Sequence, residues 1–478
     1  MNTTTDQPTS PDERDFKKEL PQNILAGLTV SFAAISLGAA FGLQSGRTNG
    51  LLIGILSAGV IAAVTSLLGG TRIQCSGPTA PMTSVTMGVW AAATGVLAVD
   101  LMNANYTADH FMTTVLLLTG VAILLMGALR LGKFITIVPV SVISGFMNGI
   151  AVLIWMGELK KLFGLGSKKQ ICTPEKLEQT WCNEALYSKL VEVNIQPYDG
   201  GLTENVAFAG ITCVLLFVVP KLIKKALPKY NSFLPGTLVV IILMSVIHAA
   251  LALNLGTPTL TPFTAELFQE TVKAQIPDTI SYAMIIAALP FVFDLTLLAY
   301  LDTLLTSLVV DKKVKETFGY EDKTQPNKEL AAQGIANGLV AFIGGIPGAQ
   351  ATIRSVLILK ENATLRIAGV LSGVFVLIEM LLFQDWVKHI PLSVFAGLLI
   401  KVGYDVMDWD PLIDWFKQLT QKTNEVRVTA FDMFFIVGTT VVTVVDSLNT
   451  AVILFTVMYY IVKKLKPASA ESGMSGQQ

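Results

Sequence analysis

The sequence predicts an all-α, polytopic membrane protein. Three observations carry that prediction: sparse charge, many long apolar stretches, and a short motif that recurs in the second half of the chain. Of 478 residues, 52% are hydrophobic and 14% charged, whereas a soluble domain carries roughly 25% charged residues. The solvent for most of this chain is therefore lipid. The 34 basic and 35 acidic residues leave a net charge of -1, so no broad basic field exists to hold nucleic acid. Four cysteines in 478 residues exclude a disulfide scaffold.

A helix needs about 20 apolar residues to cross hydrocarbon. Residues 1–20 are polar, show no packing pattern, and are expected to form a disordered cytoplasmic tail ahead of a membrane domain spanning 21–464. The first apolar stretch, 24–46, is too long for a signal-peptide core and lacks a cleavage site, so it is a retained helix. With 48–68, 75–99, 111–129, 134–155, 205–219 and 233–253 it makes seven spans, in a first half of 21–253. The stretches 276–310, 331–346, 349–359, 367–382, 391–406, 431–445 and 450–462 make another seven, in a second half of 276–464. Residues 465–478 are then a short cytoplasmic tail. The stretches at 75–99 and 349–359 open with Gly, Pro and small polar residues where a simple span would carry Leu and Ile. They are predicted to be broken, and non-helical backbone at membrane depth is tolerated only inside protein or beside a polar cavity.

Orientation follows from Lys and Arg in the short loops. With a cytoplasmic N-terminus, 23 of the 34 basic residues fall inside, and the short outside loops hold three: Arg47, Lys273 and Lys388. The long outside loop at 158–204 adds six, and Arg354 and Lys401 lie within apolar stretches. Both termini are then cytoplasmic, in a plasma (inner) membrane. Cys172 and Cys182 lie in the long outside loop, where an oxidising compartment permits a disulfide and a free pair is the alternative. Asn105-Tyr106-Thr107 fits a glycosylation sequon and is read as a chance match.

The broken stretches carry an internal repeat. Residues 77–85 read GPTAPMTSV and residues 348–356 read GAQATIRSV, so Gly77, Ala80, Ser84 and Val85 match Gly348, Ala351, Ser355 and Val356 without a gap. A Gly-Gly pair precedes each copy, Gly69-Gly70 and Gly344-Gly345. Each copy is the third stretch of its seven, and because seven is odd the two run in opposite directions, as in inverted-repeat transporters. Their helix N-termini can then meet, presenting unpaired N–H groups and the positive ends of two dipoles to one point. Such a point binds an anion. Pro81 at the start of one helix is compatible with a missing N–H there.

A charge at the bilayer centre costs at least about 2.5 kcal/mol and asks for a partner or a purpose. Arg354 lies in the first turns of the second broken helix, beside the proposed anion point, with a structural ion pair as its other reading. Asp302 heads the run D-T-L-L-T, which places Thr306 one turn along the same face, with Thr303 and Ser307 flanking it. A carboxylate and hydroxyl oxygens at that spacing suit a sodium ion, the carboxylate alone suits a proton, and pairing with Arg354 is the alternative. Asp294 is read as solvated or as a helix-end contact. Glu158, Glu379, Lys401 and Asp446 sit near stretch ends or in the amphipathic stretch at 391–406 and are read as structural. His110, His248 and His389 form no metal spacing, and neither a G-x-S-x-G elbow nor a phosphate-cradling G-x-x-x-x-G-K appears. No enzyme and no cofactor are expected.

These residues resemble the sulfate permease (SulP) family of anion transporters, and within it the cyanobacterial-type sodium-dependent bicarbonate transporters. The similarity covers 21–464 and is most specific in LDTLLTSLVVD, NKELAAQGIANG and GGIPGAQATIRSV, all between Leu301 and Val356. GPTAPMTSV, VPVSVISGFMNGI, HIPLSVFAGLLIKVG and VVDSLNTAV resemble further family motifs. The resemblance implies 14 segments in two inverted seven-segment repeats, half-helices at segments 3 and 10, core and gate domains that move like an elevator, and a homodimer. It implies sodium at positions matching Asp302, Thr306 and Thr79, and the anion at those matching Ala351, Thr352 and Arg354, with Ala80 on the facing half-helix and Phe41 lining the pocket. The chain departs from the pattern where Ser36 and Leu37 replace Pro and its follower, where Gln350 replaces Gly and adds a donor and acceptor to the anion side, and where Gly77 replaces an acidic residue. Only about a dozen polar residues follow Lys464, so the STAS domain of most family members is not expected.

The expected activity is secondary active transport of a small inorganic anion: bicarbonate by sodium symport, or sulfate or another anion with proton coupling. A nucleobase carrier of the same architecture and an anion channel are the rival readings.

Overall fold

The computed structural model describes residues 16–47, 49–163, 201–226, 236–258, 264–277, 279–387, 389–421, 428–446 and 448–465. Cys172, Cys182 and the 466–478 tail lie outside them. The first half comprises α1 (Phe16–Gln44), α2 (Gly50–Leu68), β1 (Ser76–Pro78), α3 (Ala80–Thr94), α4 (Ala98–Asn103), α5 (Ala108–Ala128), α6 (Val140–Leu162), α7 (Leu202–Ala226) and α8 (Gly236–Leu251). After α9 (Ala265–Gln275) come α10 (Tyr282–Phe318), α11 (Pro326–Ala341), β2 (Gly348–Gln350), α12 (Thr352–Lys360), α13 (Ile367–Val387), α14 (Leu392–Val406), α15 (Trp409–Gln421), α16 (Ala430–Val445) and α17 (Leu448–Leu465).

Each of the fourteen expected stretches coincides with a helix or half-helix. Among the described residues, seven helices are long and apolar enough to cross a membrane on their own: α1, α2, α5, α6, α7, α10 and α13. The other seven fall short for visible reasons. The helices α3 and α12 are the broken ones, α8, α14 and α16 are 15 or 16 residues long, α11 carries a polar stripe, and α17 ends in Lys463 and Lys464. Large apolar side chains lie exposed along the spans, including Leu125, Val214, Leu382 and Val441, as lipid-facing residues must.

Three boundaries differ from expectation. The first helix begins at Phe16, so residues 16–20, expected as tail, are helical. Their charges end the apolar run without ending the helix, and Pro21, its sixth residue, lies inside it. The stretch expected from 276 begins at Tyr282 because Ser281 caps it, accepting from the Met284 N–H. The same helix continues past 310 to Phe318, about 55 Å in all at 1.5 Å per residue. The short α4, α9 and α15 were not foreseen, because their polar faces hide them from a search for apolar runs.

The chain forms two compact units, each drawing on both halves. One comprises the described residues of 1–133 and 214–392, the other those of 134–213 and 393–478. In the first, α5 packs on α11 and α13 packs on α2. These are the same pairing with the halves exchanged, since they join the fourth stretch to the ninth and the eleventh to the second. Glycines bring the backbones together: an added Cβ on Gly120 would lie 2.7 Å from the Gly338 nitrogen, and one on Gly373 would lie 2.5 Å from the Ala63 nitrogen. The contact between α1 and α2 is closer still, where a Cβ on Gly54 would overlap the Gly38 carbonyl and lie 2.6 Å from the Gly42 Cα. In the second unit α6 packs on α16 through Gly145 and Gly149, and α14 meets α7 at Gly397. This too is one pairing seen twice, and it gives the inverted repeat a physical content beyond nine matched letters.

The first unit is centred on a two-stranded antiparallel ladder. Ser76 pairs with Gln350, Gly77 with Ala349 and Pro78 with Gly348. The ladder centre is therefore Gly77–Ala349, one residue out of the register in which the two sequences match. Small residues are interchangeable enough to align gaplessly one step off, whereas a strand cannot slip one step without reversing its faces.

Helix α11 holds the ladder from one side. Glu329, Gln333 and Asn337, spaced by four, form a fully buried stripe. Glu329 accepts from the Thr71 N–H at 2.9 Å and from Gln74 Nε2 at 3.0 Å, fixing the turn into β1. Gln333 Nε2 donates to Ser76 Oγ at 2.8 Å. Asn337 pairs with Gly348 in both directions, Nδ2 donating to its carbonyl at 2.9 Å and Oδ1 accepting from its N–H at 2.7 Å.

Two stability outcomes follow. Gly54→Ala should destabilise the α1–α2 contact by about 1–3 kcal/mol of overpacking, read as a lower midpoint of thermal unfolding in detergent. Asn337→Ala leaves both polar groups of Gly348 unpaired and should cost about 3 kcal/mol; an unchanged midpoint would show that the clamp contributes nothing.

Candidate functional site

Both half-helices start at the ladder. The N-cap of α3 is Thr79 and that of α12 is Ala351, and neither helix has a side-chain cap. The first-turn N–H groups of two helices, of 15 and 9 residues, are thus left for another acceptor. Ala80, the first residue of α3, is 3% exposed, and Thr352 opens α12.

Arg354 lies one turn into α12 and is 1% exposed. Its Nη2 donates to the Pro78 carbonyl at 2.9 Å. Its Nε and Nη1 are buried and donate to nothing. The ring of Pro78 explains half of this arrangement, because a proline in a ladder has a carbonyl to offer and no N–H. Gly77 explains the other half. Its φ is +153°, and a Cβ there would lie 2.6 Å from Arg354 Nη1, so the guanidinium occupies space that any side chain would claim.

Asp302 faces this group from α10, beside Thr79 and within electrostatic reach of Arg354. The two do not form an ion pair: Asp302 Oδ2 is buried without a hydrogen bond, and so is Thr79 Oγ1. The structural pairing considered for Asp302 and Arg354 is therefore not made. A buried carboxylate, with the Thr79 hydroxyl beside it, stands near two buried guanidinium donors that have no partner. An unpaired buried polar group costs about 1–3 kcal/mol, and more when charged, so leaving these groups without partners is costly to the fold.

The remaining expected residues divide. Thr306 Oγ1 hydrogen-bonds Thr352 Oγ1 at 2.7 Å, joining α10 to the start of α12. Thr303, expected to flank the cation, instead accepts from the Gln350 N–H at 3.4 Å. Gln350 is fully buried, but its Oε1 accepts from Thr71 Oγ1 at 3.4 Å, not from the guanidinium, and its Nε2 is unpartnered. Ala351 donates its N–H to the Cys75 carbonyl at 3.4 Å. Phe41 is buried on α1, a helix that packs on both α3 and α12. Sequence reasoning missed the supporting stripe Glu329, Gln333 and Asn337. The signal was present: three polar residues at a spacing of four, in a stretch from 329 to 341 that is otherwise Ala, Gly, Leu, Ile and Val.

Residues 20–430 match the sulfate permease family. The chain is 31% identical over 393 residues to the bicarbonate transporter BicA of Picosynechococcus, covering 81% of this chain and 62% of that protein. It is 27% identical over 431 residues to YvdB of Bacillus subtilis, a protein named for sulfate transport, covering 90% of this chain and 71% of that one. The solved transmembrane domain of a cyanobacterial BicA superposes with a TM-score of 0.69 at 26% identity, over 92% of this chain and 98% of that domain. With a match over most of its length and a shared polytopic fold, the chain is a multi-pass membrane protein of the sulfate permease family.

Proposed function

We propose that this protein is a secondary active transporter of a small inorganic anion, with bicarbonate as substrate and sodium as the coupling ion. One observation carries the reading: at the meeting of two uncapped half-helix N-termini, two buried guanidinium N–H groups of Arg354 and two buried oxygens of Asp302 and Thr79 lack partners. Bicarbonate carries its charge on oxygens that accept charge-assisted hydrogen bonds from guanidinium N–H groups. Sodium prefers oxygen ligands, and Asp302 supplies the one carboxylate that would balance it. Binding both ions together would satisfy each set of groups while keeping the site nearly neutral, which favours obligatory coupling over leak.

Alternating access would come from movement of one compact unit against the other, in the manner of an elevator. The excess of basic residues in the alternating loops supports an orientation with both termini cytoplasmic in the plasma membrane. A homodimer is proposed on family resemblance. Sulfate with proton coupling is the second reading, supported by the likeness to YvdB and by the fact that a lone carboxylate also serves a proton.

In proteoliposomes, bicarbonate uptake should require an inward sodium gradient; uptake indifferent to sodium would overturn the sodium version. Asp302→Asn should abolish sodium-driven uptake in a chain that remains monodisperse. Gly77→Ala displaces the guanidinium and should raise the KM for the anion roughly tenfold, about 1.4 kcal/mol of lost binding, with little change in the sodium dependence.

A further inference from the structure

Glu379, expected near the end of its stretch, lies within α13 because the helix continues past 382 to Val387. Eight residues separate it from Val387 and twelve from Ile367, about 12 Å and 18 Å of helix. Its side chain is turned into the contact between α13 and α1, and the residue is 5% exposed. Oε1 lies 2.5 Å from Ser31 Oγ, and Oε2 is buried without a partner.

A hydrogen inventory at Ser31 decides what this contact is. The hydroxyl has one hydrogen. Ser31 Oγ also lies 2.7 Å from the Leu28 carbonyl on its own helix, and a carbonyl oxygen can only accept. If the hydroxyl hydrogen goes to Leu28, the hydrogen between Ser31 and Glu379 must come from Glu379. An ionised Glu379 would instead compete with Leu28 for that one hydrogen and would leave a buried charge with one oxygen bare.

Among the described residues, the elements packed around Glu379 offer it no counter-charge when ionised. Helices α1 and α2 are the elements packed most heavily on α13. Between Gly50 and Leu68, α2 has no titratable residue. The charged residues of α1 are Lys17, Lys18 and Glu19, at least twelve residues and about 18 Å from Ser31 along the helix. On α13 itself the nearest is Asp385, of the same sign. An unpaired carboxylate in such a place costs several kcal/mol, and acquiring a proton removes most of that cost.

We infer that Glu379 is a proton-binding site of this protein, its carboxyl O–H donating to Ser31 Oγ across the α1–α13 contact, separate from the ion site at Asp302. The ligand is a proton and not a metal ion, because among the described residues Ser31 is the single side-chain oxygen at bonding distance. The inference does not depend on which anion is carried or on what couples to it.

Infrared absorption of the purified chain at neutral pH tests it through the carbonyl stretch of a protonated carboxylic acid, which is resolved from the carboxylate bands. Glu379→Gln, which keeps the shape and the donor of the protonated acid, should remove one such band, and Asp302→Asn should leave that band in place. Ser31→Ala retains Glu379 and should keep the band but move its frequency, because the acceptor is gone. A spectrum in which Glu379→Gln takes intensity only from the carboxylate bands overturns the proposal. So does a band that Ser31→Ala leaves unmoved.

Discussion

Backbone that leaves the helix inside a bilayer has no water to turn to, and each unpaired polar group there costs several kcal/mol. Among the described residues two broken stretches leave the helix in this way, and the two departures satisfy each other: Ser76–Pro78 pairs with Gly348–Gln350. What the ladder does not reach, side chains do. Asn337 takes both groups of Gly348, Ser355 Oγ accepts from the Cys75 N–H at 3.2 Å, and Arg354 takes the Pro78 carbonyl. The guanidinium is thus fixed as part of closing the backbone, with two of its donor nitrogens left over.

The two halves supply this platform by symmetry and its polarity by departure from symmetry. With Gly77 and Ala349 at the ladder centre, Thr79 corresponds to Ala351 and Met82 to Arg354. One half-helix brings a hydroxyl and an apolar side chain, while the other brings a methyl and a guanidinium. A strictly repeated sequence would place two like charges at one point, or none. The same division appears one layer out, where α10 contributes Asp302 and its counterpart α1 contributes the buried aromatic Phe41.

Much of this was legible in the sequence, for reasons that can be given residue by residue. The spans were readable because lipid selects against charge wherever a helix touches it. The broken helices were readable because Gly, Pro and Thr make poor spanning residues, and Arg354 and Asp302 stood out as charges inside apolar runs. What could not be read were relations between distant residues. Nothing local in GAQATIRSV says that Arg354 bonds Pro78, or that it avoids Asp302. Asn337 and Glu329 sat in plain view at a helical spacing, yet their partners, Gly348 and Thr71, lie in other elements. The bond from Thr306 to Thr352 is of the same kind, because spacing along one helix shows Thr306 one turn from Asp302 and says nothing of a partner on another helix.

The length of α10 has a mechanical meaning. A rod of about 55 Å exceeds the hydrocarbon thickness of about 30 Å, so the helix that bears Asp302 also carries Asp311 and Lys315 beyond it. Asp311 is strapped to the following turn, accepting from the Thr324 N–H at 3.0 Å and its Oγ1 at 2.7 Å. Nine residues of continuous helix join that strap to Asp302, and a helix transmits rotation with little slack. Events at the buried carboxylate are therefore legible from the water: a label on the exposed end of this rod would turn with it, making the helix its own pointer.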